Sequence, residues 1–404
     1  MTGLTDRGRL ALALAIAVYL IAWAFGSRSL YPVAVGLGLA VIGGRLWVSL
    51  ARQPVSLRRS FGRAEHVEGD DVKVGLEAIP QRYPGPRSLE VVESIGRLGE
   101  RRARLSRHGR FLLARYVLPA VSRGRYRIEA ARAVFEDPFG FARAEVQLGA
   151  ESTFLVYPRL VELNRLFSQA GGAAQTKKRV LLHRTAGFDL HNVHEYQQGE
   201  SLRKVHWRTT ARRGTLMVKE LEDAPHDEVA VLLDADGRAV VGESFDVQVR
   251  AAGSILRAHA LRGRRGVLTL TSNPPESCHV ATFDGEWRLA LELLAAAEPT
   301  GSEPLERFLG RDASPAAHAT ELVAVTASLT PDLANALVER ALARRQTSLV
   351  LVDAPSFQRR EPVPLRDPAL LRLQAAGVPV AVVQRGDDLV AKLSGIAEAI
   401  AAHA

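Results

Sequence analysis

Two apolar runs near the amino-terminal end of the 404-residue chain constrain its fold more than any other feature. Residues 10–25 form an uninterrupted apolar run of 16 residues, and residues 30–50 form a second with one charged residue, Arg45. A helix needs about 20 mostly apolar residues to cross the hydrocarbon core of a bilayer. Because only residues 26–29 separate the runs, we predict a tight transmembrane helical hairpin over residues 1–52.

The basic residues around the hairpin predict its orientation. Arg7 and Arg9 precede the first run, and Arg28 stands alone in the linker. Further arginines lie at or beyond the end of the second run: Arg45, Arg52, Arg58 and Arg59. The positive-inside rule therefore predicts a multi-pass cell-membrane protein with both termini in the cytoplasm. The alternative is a cleaved signal peptide, because Ala22-Trp23-Ala24 resembles a cleavage site.

Small residues recur at every fourth position of the second run, at Gly36, Ala40 and Gly44. This spacing gathers them on one side of a helix. Small residues allow the backbones of membrane helices to approach closely. We therefore expect the first helix to pack against this stripe.

Residues 53–160 change to short apolar runs of period two that are separated by Gly, Pro and Asp. This pattern predicts a small antiparallel β-sandwich that acts as a spacer. Within it, Asp137-Pro138-Phe139-Gly140 predicts a turn with Phe139 and Phe141 at its exit. We interpret the turn as a corner that plugs the core, and a ligand-binding loop is the alternative.

Basic residues are concentrated in the next segment, residues 161–224. The whole chain has 53 Lys and Arg against 44 Asp and Glu, a net charge of +9, which favours an acidic partner such as nucleic acid, anionic lipid or an acidic protein face. Residues 177–219 contain ten basic and three acidic residues. The large side chains of Tyr196, Trp207 and Met217 among them indicate an ordered surface, because a solvated tail would not need them.

The same segment contains a motif that runs from Glu195 to Trp207 and continues through Ala211-Arg212 to Lys219. It resembles the signature of the bacterial domain-of-unknown-function family 58, roughly R-E-Y-x-x-G-D-x-x-R-x-I-x-W followed by A-R and L-x-V. In this chain His194 replaces the first Arg and Glu200 replaces the Asp. The residues that we predict to bind a partner through this motif are Glu195, Tyr196, Gly199, Glu200, Arg203, His206, Trp207 and Arg212.

The resemblance implies a membrane-anchored protein with a von Willebrand factor A-like domain, encoded beside a MoxR-type AAA+ ATPase and transglutaminase-like proteins. It implies no enzymatic activity. Arg, Trp and Tyr are the residue types that dominate binding hot spots, so a partner-docking surface suits the motif. The alternative is structural: Arg203 and Arg208 pair with Glu195 and Glu200 and hold two domains together.

Residues 225–404 alternate continuous apolar strands with amphipathic helices, which predicts a doubly wound, mostly parallel α/β sheet. Its first strand ends at Asp234-Ala235-Asp236-Gly237-Arg238. A von Willebrand factor A-like domain with a metal-ion-dependent adhesion site carries D-x-S-x-S there, and Arg238 would oppose a cation by like charge. We therefore expect no cofactor, and weak Mg²⁺ or Ca²⁺ binding by Asp234 and Asp236 stays open.

The motifs of common enzyme classes are missing from the sequence: it has no G-x-x-x-x-G-K-[ST] loop, no H-E-x-x-H and no G-x-S-x-G. The expected protein is not an enzyme but a membrane-anchored cytoplasmic interaction protein that docks a MoxR-type AAA+ ATPase in protein assembly or maturation. A transglutaminase-like protein is a further possible partner, and nucleic acid is not expected. Two alternatives remain, a metal-dependent hydrolase using Asp234 and Asp236, and a binder of anionic ligands through residues 177–219.

Overall fold

The chain forms two compact units in a computed structural model, Met1–Tyr157 and Pro158–Ala404. The structure describes these residues: 2–52, 55–81, 88–170, 190–195, 207–221, 228–283, 285–311, 314–358 and 367–395.

The first unit begins with two long apolar helices, α1 (Asp6–Phe25) and α2 (Tyr31–Ala51). The hydroxyl of Thr5 caps α1 by accepting a hydrogen bond from the Gly8 amide at 3.1 Å, and Gly26 ends it with a φ of 65°. The two helices are 20 and 21 residues long, and the most apolar part of each carries at most two charged residues. Both helices are therefore long and apolar enough to cross a membrane, as the sequence predicted.

The buried residues are Gly8, Ala15 and Ala22 on α1, and Ala34, Val41, Gly44 and Val48 on α2, and all except Gly44 stand at a spacing of seven. The predicted stripe on α2 is wrong. Gly36 is exposed, with open space where a Cβ would stand, and Gly44 faces Asp137. A spacing of four drifts by about 40° per step around a helix, whereas a spacing of seven stays nearly aligned.

Eleven described strands build the rest of the first unit: β1 (Thr2–Leu4), β2 (Val55–Phe61), β3 (His66–Val67), β4 (Val72–Pro80), β5 (Ser88–Ser94), β6 (Glu100–His108), β7 (Phe111–Leu118), β8 (Gly124–Ile128), β9 (Ala131–Glu136), β10 (Ala142–Leu148) and β11 (Ser152–Tyr157). One sheet has the antiparallel order β1-β10-β9-β5-β6-β7-β4-β2, and a second has the order β3-β11-β8. Their apolar inner faces form one core, which confirms a β-rich amino-terminal region. The strand that precedes α1 thus pairs with β10, far along the chain.

A charged group is buried inside this core. Glu93 is fully buried and accepts hydrogen bonds from Nε of Arg59 at 2.5 Å and from the hydroxyl of Tyr116 at 2.6 Å. Burial and the neighbouring Glu93 raise the pKa of Tyr116 far above its usual range. The phenol therefore stays protonated and remains a donor to the carboxylate.

The turn between β9 and β10 differs from the prediction. Asp137 is buried, and its carboxylate accepts hydrogen bonds from the amides of Phe139 at 3.0 Å and Ala142 at 2.6 Å. Phe139 is 66% exposed, so its interpretation as a core plug is wrong. The carboxylate occupies the inward side of the turn and satisfies its amides, which leaves the ring pointing outward.

The second unit contains a six-stranded sheet made of β14 (Val229–Leu233), β15 (Gly266–Leu270), β16 (Glu276–Val280), β17 (Glu321–Thr326), β18 (Gln346–Val352) and β19 (Val380–Val383). The strand order is β16-β15-β14-β17-β18-β19, in which β16 is antiparallel to β15 and the other pairs are parallel. The order reverses direction between β14 and β17, which confirms a doubly wound, mostly parallel sheet.

Helices connect and flank these strands: α3 (Phe167–Ala170), α4 (Trp207–Arg213), α5 (Ser244–Ala260), α6 (Gly285–Ala296), α7 (Leu305–Leu309), α8 (Pro315–His318), α9 (Pro331–Leu342), α10 (Pro368–Ala375) and α11 (Leu389–Ser394). Two apolar clusters pack within this unit. The residues of β14 alternate between them: Val229, Val231 and Leu233 belong to one, and Ala230 and Leu232 to the other. Both sides of the strand are therefore buried, which explains its continuous apolar sequence.

Candidate functional site at the strand ends

The candidate site lies where three neighbouring parallel strands end. In register, Leu233 of β14 stands beside Leu270 of β15 and Val325 of β17. The next residue along each strand is polar: Asp234, Thr271 and Thr326. In a doubly wound sheet, ligands bind outside the carboxyl ends of the strands, at the point where the strand order reverses.

Asp234 is the centre of this cluster. Its Oδ2 accepts a hydrogen bond from Oγ1 of Thr326 at 2.6 Å, and its Oδ1 accepts from Oγ1 of Thr271 at 3.2 Å and from the Asp236 amide at 3.1 Å. The two hydroxyls are themselves held, because Thr271 accepts from the Ala235 amide and Thr326 accepts from the Ser328 amide. Asp234 is therefore a carboxylate with three donors, fixed in place by backbone and hydroxyl groups.

Burial dominates the electrostatics of Asp234, which is only 5% exposed. Loss of contact with water raises its pKa above the ordinary value, and its three hydrogen-bond donors only partly oppose this effect. The nearby carboxylate of Asp236 raises the pKa further. The neutral acid is thus favoured more at this position than on a protein surface.

Asp236 is bound by a cation of the chain itself. The guanidinium of Arg238 approaches it in a fork, with Nε at 2.9 Å from Oδ1 and Nη2 at 2.8 Å from Oδ2. These hydrogen bonds are the main reason that the pKa of Asp236 is lowered. The side chain of Arg238 is 72% exposed, so the pair presents a guanidinium to solvent at the sheet edge.

A segment after α6 packs closely over the same edge. The Gly301 amide donates to the Ala235 carbonyl at 2.8 Å. A Cβ at Gly301 would overlap the Thr271 carbonyl oxygen, and a Cβ at Gly237 would lie 2.5 Å from the Pro299 carbonyl oxygen. Two glycines therefore allow backbone to lie directly on backbone beside Asp234.

These residues do not fit the metal site of a D-x-S-x-S sequence. Arg238 occupies the carboxylate of Asp236, and a divalent cation would have to displace it against like-charge repulsion. The strand end at Thr326 supplies a hydroxyl rather than a second carboxylate. Within the described residues, there is no cluster of three or more His, Cys, Asp or Glu side chains with metal-binding geometry. Weak cation binding by Asp234 and Asp236 stays a prediction.

The described ends of the signature motif lie on a two-stranded ribbon of β12 (Leu190–Glu195) and β13 (Met217–Leu221), with Glu195 opposite Met217. Helix α4 begins at Trp207, and its Arg212 is exposed. Thr210 links helix and ribbon, because its Oγ1 accepts from the Met217 amide at 3.0 Å. The other predicted partner-binding residues lie outside the described residues: Tyr196, Gly199, Glu200, Arg203 and His206.

Sequence reasoning identified Asp234, Asp236 and Arg238, and the structure brings all three together. It missed Thr271, which follows β15, and the segment around Gly301. Thr271 could have been predicted from the sequence, since it is the polar residue that ends an apolar strand. The contact of Gly301 with the first strand end had none, because it joins positions far apart in the sequence.

Residues 192–356 match the model of the family described as "Protein of unknown function DUF58", which confirms the predicted resemblance. The matched region begins in β12 and ends just after β18, so it includes both the motif and the Asp234 cluster. The chain is also 24% identical over 251 residues to YeaD, an uncharacterized protein of Bacillus subtilis (strain 168). That match covers 60% of this chain and 61% of YeaD, so the chain spans less than two thirds of this relative.

Two solved structures show weaker likenesses. The CARDB domain of a Pyrococcus furiosus protein, in complex with di-metal ions, is 12% identical, with 24% of this chain and 94% of that chain covered and a TM-score of 0.18. The alkylpurine DNA glycosylase AlkC of Pseudomonas fluorescens, bound to DNA, is 15% identical, with 36% and 43% covered and a TM-score of 0.16. Neither likeness supports an argument about fold or activity.

Proposed function

We propose that this protein is a membrane-anchored interaction protein whose second unit, of the von Willebrand factor A type, docks a MoxR-type AAA+ ATPase that serves protein assembly or maturation. The resemblance to family 58 is the reason for proposing the ATPase, and a transglutaminase-like protein, as partners. The observation that carries the docking proposal is the Asp236–Arg238 pair, which places an exposed guanidinium at the ligand edge of a doubly wound sheet.

The membrane anchor is supported by α1 and α2, and its topology by strand pairing. Thr2–Leu4 pairs with β10, so the segment before the hairpin and the sandwich after it lie on the same side of any bilayer that the hairpin crosses. After Ala51, no described helix is both long and apolar enough to cross a membrane. The arginine distribution then favours the cytoplasm for that side.

The von Willebrand factor A assignment is supported by the order β16-β15-β14-β17-β18-β19 with its antiparallel edge strand. It is supported further by an Asp-x-Asp-x-Arg sequence at the end of β14, the place of the D-x-S-x-S sequence in that domain type. We infer that the ion pair of Asp236 and Arg238 replaces the cation of such a site. The arginine suits a carboxylate on a partner protein, because a guanidinium has five N–H donors, of which Asp236 engages two and the Ser302 carbonyl a third.

A crosslinked pull-down of the full chain from native membranes tests the proposal. The variants are Arg238→Ala and a matched control, Arg288→Ala, which removes an arginine of similar exposure that pairs with Glu292 on α6. We expect the wild type and the control to capture a protein with AAA+ ATPase motifs, identified by mass spectrometry, and Arg238→Ala to lose it. An Arg203→Ala, Trp207→Ala double variant, checked for folding by thermal melt, tells whether the motif contributes to the same surface. Equal capture by all variants would refute docking at the strand ends.

The hydrolase alternative makes a different prediction at Asp234. Asp234→Asn keeps the shape of the buried side chain but removes the charge that a bound metal would need. We expect this variant to capture the ATPase as the wild type does. A metal-dependent hydrolytic activity that disappears in Asp234→Asn would favour the enzyme instead.

A further inference from the structure

The turn from Asp137 to Phe141 is attached directly to both apolar helices. The Thr5 amide donates to the Phe141 carbonyl at 2.9 Å. A Cβ at Gly8 of α1 would overlap that same carbonyl oxygen, and a Cβ at Gly44 of α2 would lie 2.9 Å from Oδ2 of Asp137. One glycine on each helix thus makes room for the turn, so the sandwich contacts the hairpin at a fixed place.

The tip of the turn is apolar, exposed and rigid. Phe139 is 66% exposed and Pro138 is also exposed. The ring of Phe139 stacks on that of Phe141, with 5.8 Å between their centroids. The carboxylate of Asp137 ties the turn to its own amides, so the aromatic pair is held outward rather than free to fold back.

The level of the turn along the hairpin follows from helix geometry. At a rise of about 1.5 Å per residue, Gly8 lies about 26 Å from Phe25 along α1, and Gly44 lies about 20 Å from Tyr31 along α2. The hydrocarbon core of a bilayer is about 30 Å thick. In a hairpin that spans this core with its linker at the far headgroups, Gly8 lies about 4 Å and Gly44 about 10 Å inside the near boundary, so the turn lies at the inner side of the interfacial layer.

We propose that the Asp137–Phe141 turn is a third membrane contact, in which Phe139 and Phe141 insert into the interfacial layer of an anionic phospholipid bilayer on the side of the sandwich. The inference rests on the proposed membrane anchor. Aromatic side chains are favoured at this depth, where an apolar ring leaves water without entering the core. The contact adds a third point of attachment to the two membrane-spanning helices.

The charges around the turn suit anionic headgroups. Arg7, Arg9 and Arg45 are exposed on the helix ends beside it. A Cβ at Gly140 would lie 3.1 Å from Oε1 of Glu136 and 3.9 Å from Nη1 of Arg7, so a carboxylate and a cation both flank the aromatic tip, and Arg9 is paired with Asp6 at 3.4 Å. Arginines at the membrane surface attract acidic lipid, and this attraction adds to the burial of the rings.

Site-directed fluorescence on the full chain tests this contact. In a Cys278→Ser background, single cysteines replace Phe139, Leu39 or Val117, and each carries an environment-sensitive label in vesicles of phosphatidylcholine and phosphatidylglycerol. Leu39 is 61% exposed on α2 and reports the hairpin. Val117 is a 49% exposed apolar control on β7, which lies four strands from β10, about 19 Å across the sheet. Quenching by spin-labelled lipid and by aqueous iodide is then measured.

We expect the label at 139 to be quenched by lipid labelled near the headgroup and to lose most of its iodide quenching, while the label at 117 shows the reverse. If the label at 39 reports lipid and the label at 139 behaves like that at 117, the turn does not touch the membrane and this inference fails alone. If the label at 39 is also quenched by iodide and not by lipid, the membrane anchor fails and the inference fails with it. Vesicles of phosphatidylcholine alone show whether the acidic lipid is required: equal lipid quenching at 139 there would refute the anionic preference.

Discussion

The substitution Thr326→Val removes one donor from the buried carboxylate at the strand ends and keeps the shape of the side chain. Thr326 is fully buried, and its hydroxyl lies 2.6 Å from Oδ2 of Asp234. A hydrogen bond to a charged group contributes about 1.5–3 kcal/mol to stability, and one to a neutral group about 0.5–1.5 kcal/mol. We therefore expect Thr326→Val to lose more stability at pH values where Asp234 is ionised, and less where Asp234 is protonated. For a unit of this size, the larger loss lowers the melting temperature by roughly 3–12 °C.

The stability that Thr326→Val loses depends on pH, and the pKa of Asp234 determines in which direction. Burial raises the folded pKa of Asp234 above its ordinary value of 3.8, so the wild type loses stability as pH rises through that folded pKa. The hydroxyl of Thr326 lowers the pKa, and its removal raises the pKa further, so the extra loss lies at high pH. Thermal melts of the full chain in detergent between about pH 4 and about pH 8 measure it, with hydrogen exchange of β14 to assign the change.

The control Thr326→Ser keeps the hydroxyl and deletes one methyl group, which costs about 1 kcal/mol at every pH. A loss in Thr326→Val that is the same at both ends of the pH range would refute the proposed role of the hydrogen bond to Asp234.

Three further substitutions test other parts of the structure. Tyr116→Phe removes a donor from the buried Glu93 and should cost about 1.5–3 kcal/mol, measured by hydrogen exchange of β5; an unchanged exchange rate would contradict the buried network. Gly44→Val should push α2 off Asp137 and speed exchange of the amides that this carboxylate binds, whereas Gly36→Val, which meets open space, should not. Gly301→Ala should lower the melting temperature of the second unit through a cost of about 1–3 kcal/mol from overpacking, and a neutral effect would show that the backbone contact can relax.

Local sequence patterns predicted the elements but not all of their contacts. Apolar periodicity predicted the two membrane-length helices and the alternation of strands and helices after residue 225. This pattern lies within each segment and does not depend on contacts with other segments. The third strand of the α/β sheet, Glu276–Val280, does not follow from such a pattern. It is an exposed edge strand with a mixed sequence, so apolar continuity gave it a weak signal.

Long-range contacts decided the positions that the sequence did not predict. Phe139 looks like a core residue by composition, and only the inward carboxylate of Asp137 explains why it points outward. Gly44 belongs to a plausible helix–helix stripe, yet its neighbour is a sandwich turn more than 90 residues later. Arg238 was expected to oppose a cation, and the structure adds that it binds Asp236 within the same strand-end sequence. The contact between Asp236 and Arg238 could have been predicted from the sequence, because the two residues are close neighbours along the chain.

The pairing of Thr2–Leu4 with β10 has a consequence for how the protein is made. The outermost strand of the large sheet is synthesised first, yet its partner follows about 140 residues later and both apolar helices come between them. Closing such a loop is slow compared with local folding. If the hairpin spans a membrane, as we propose, the sheet can be completed only when both ends of the hairpin lie on one side. A hairpin that crossed the membrane only once would then leave the sandwich without its edge strand.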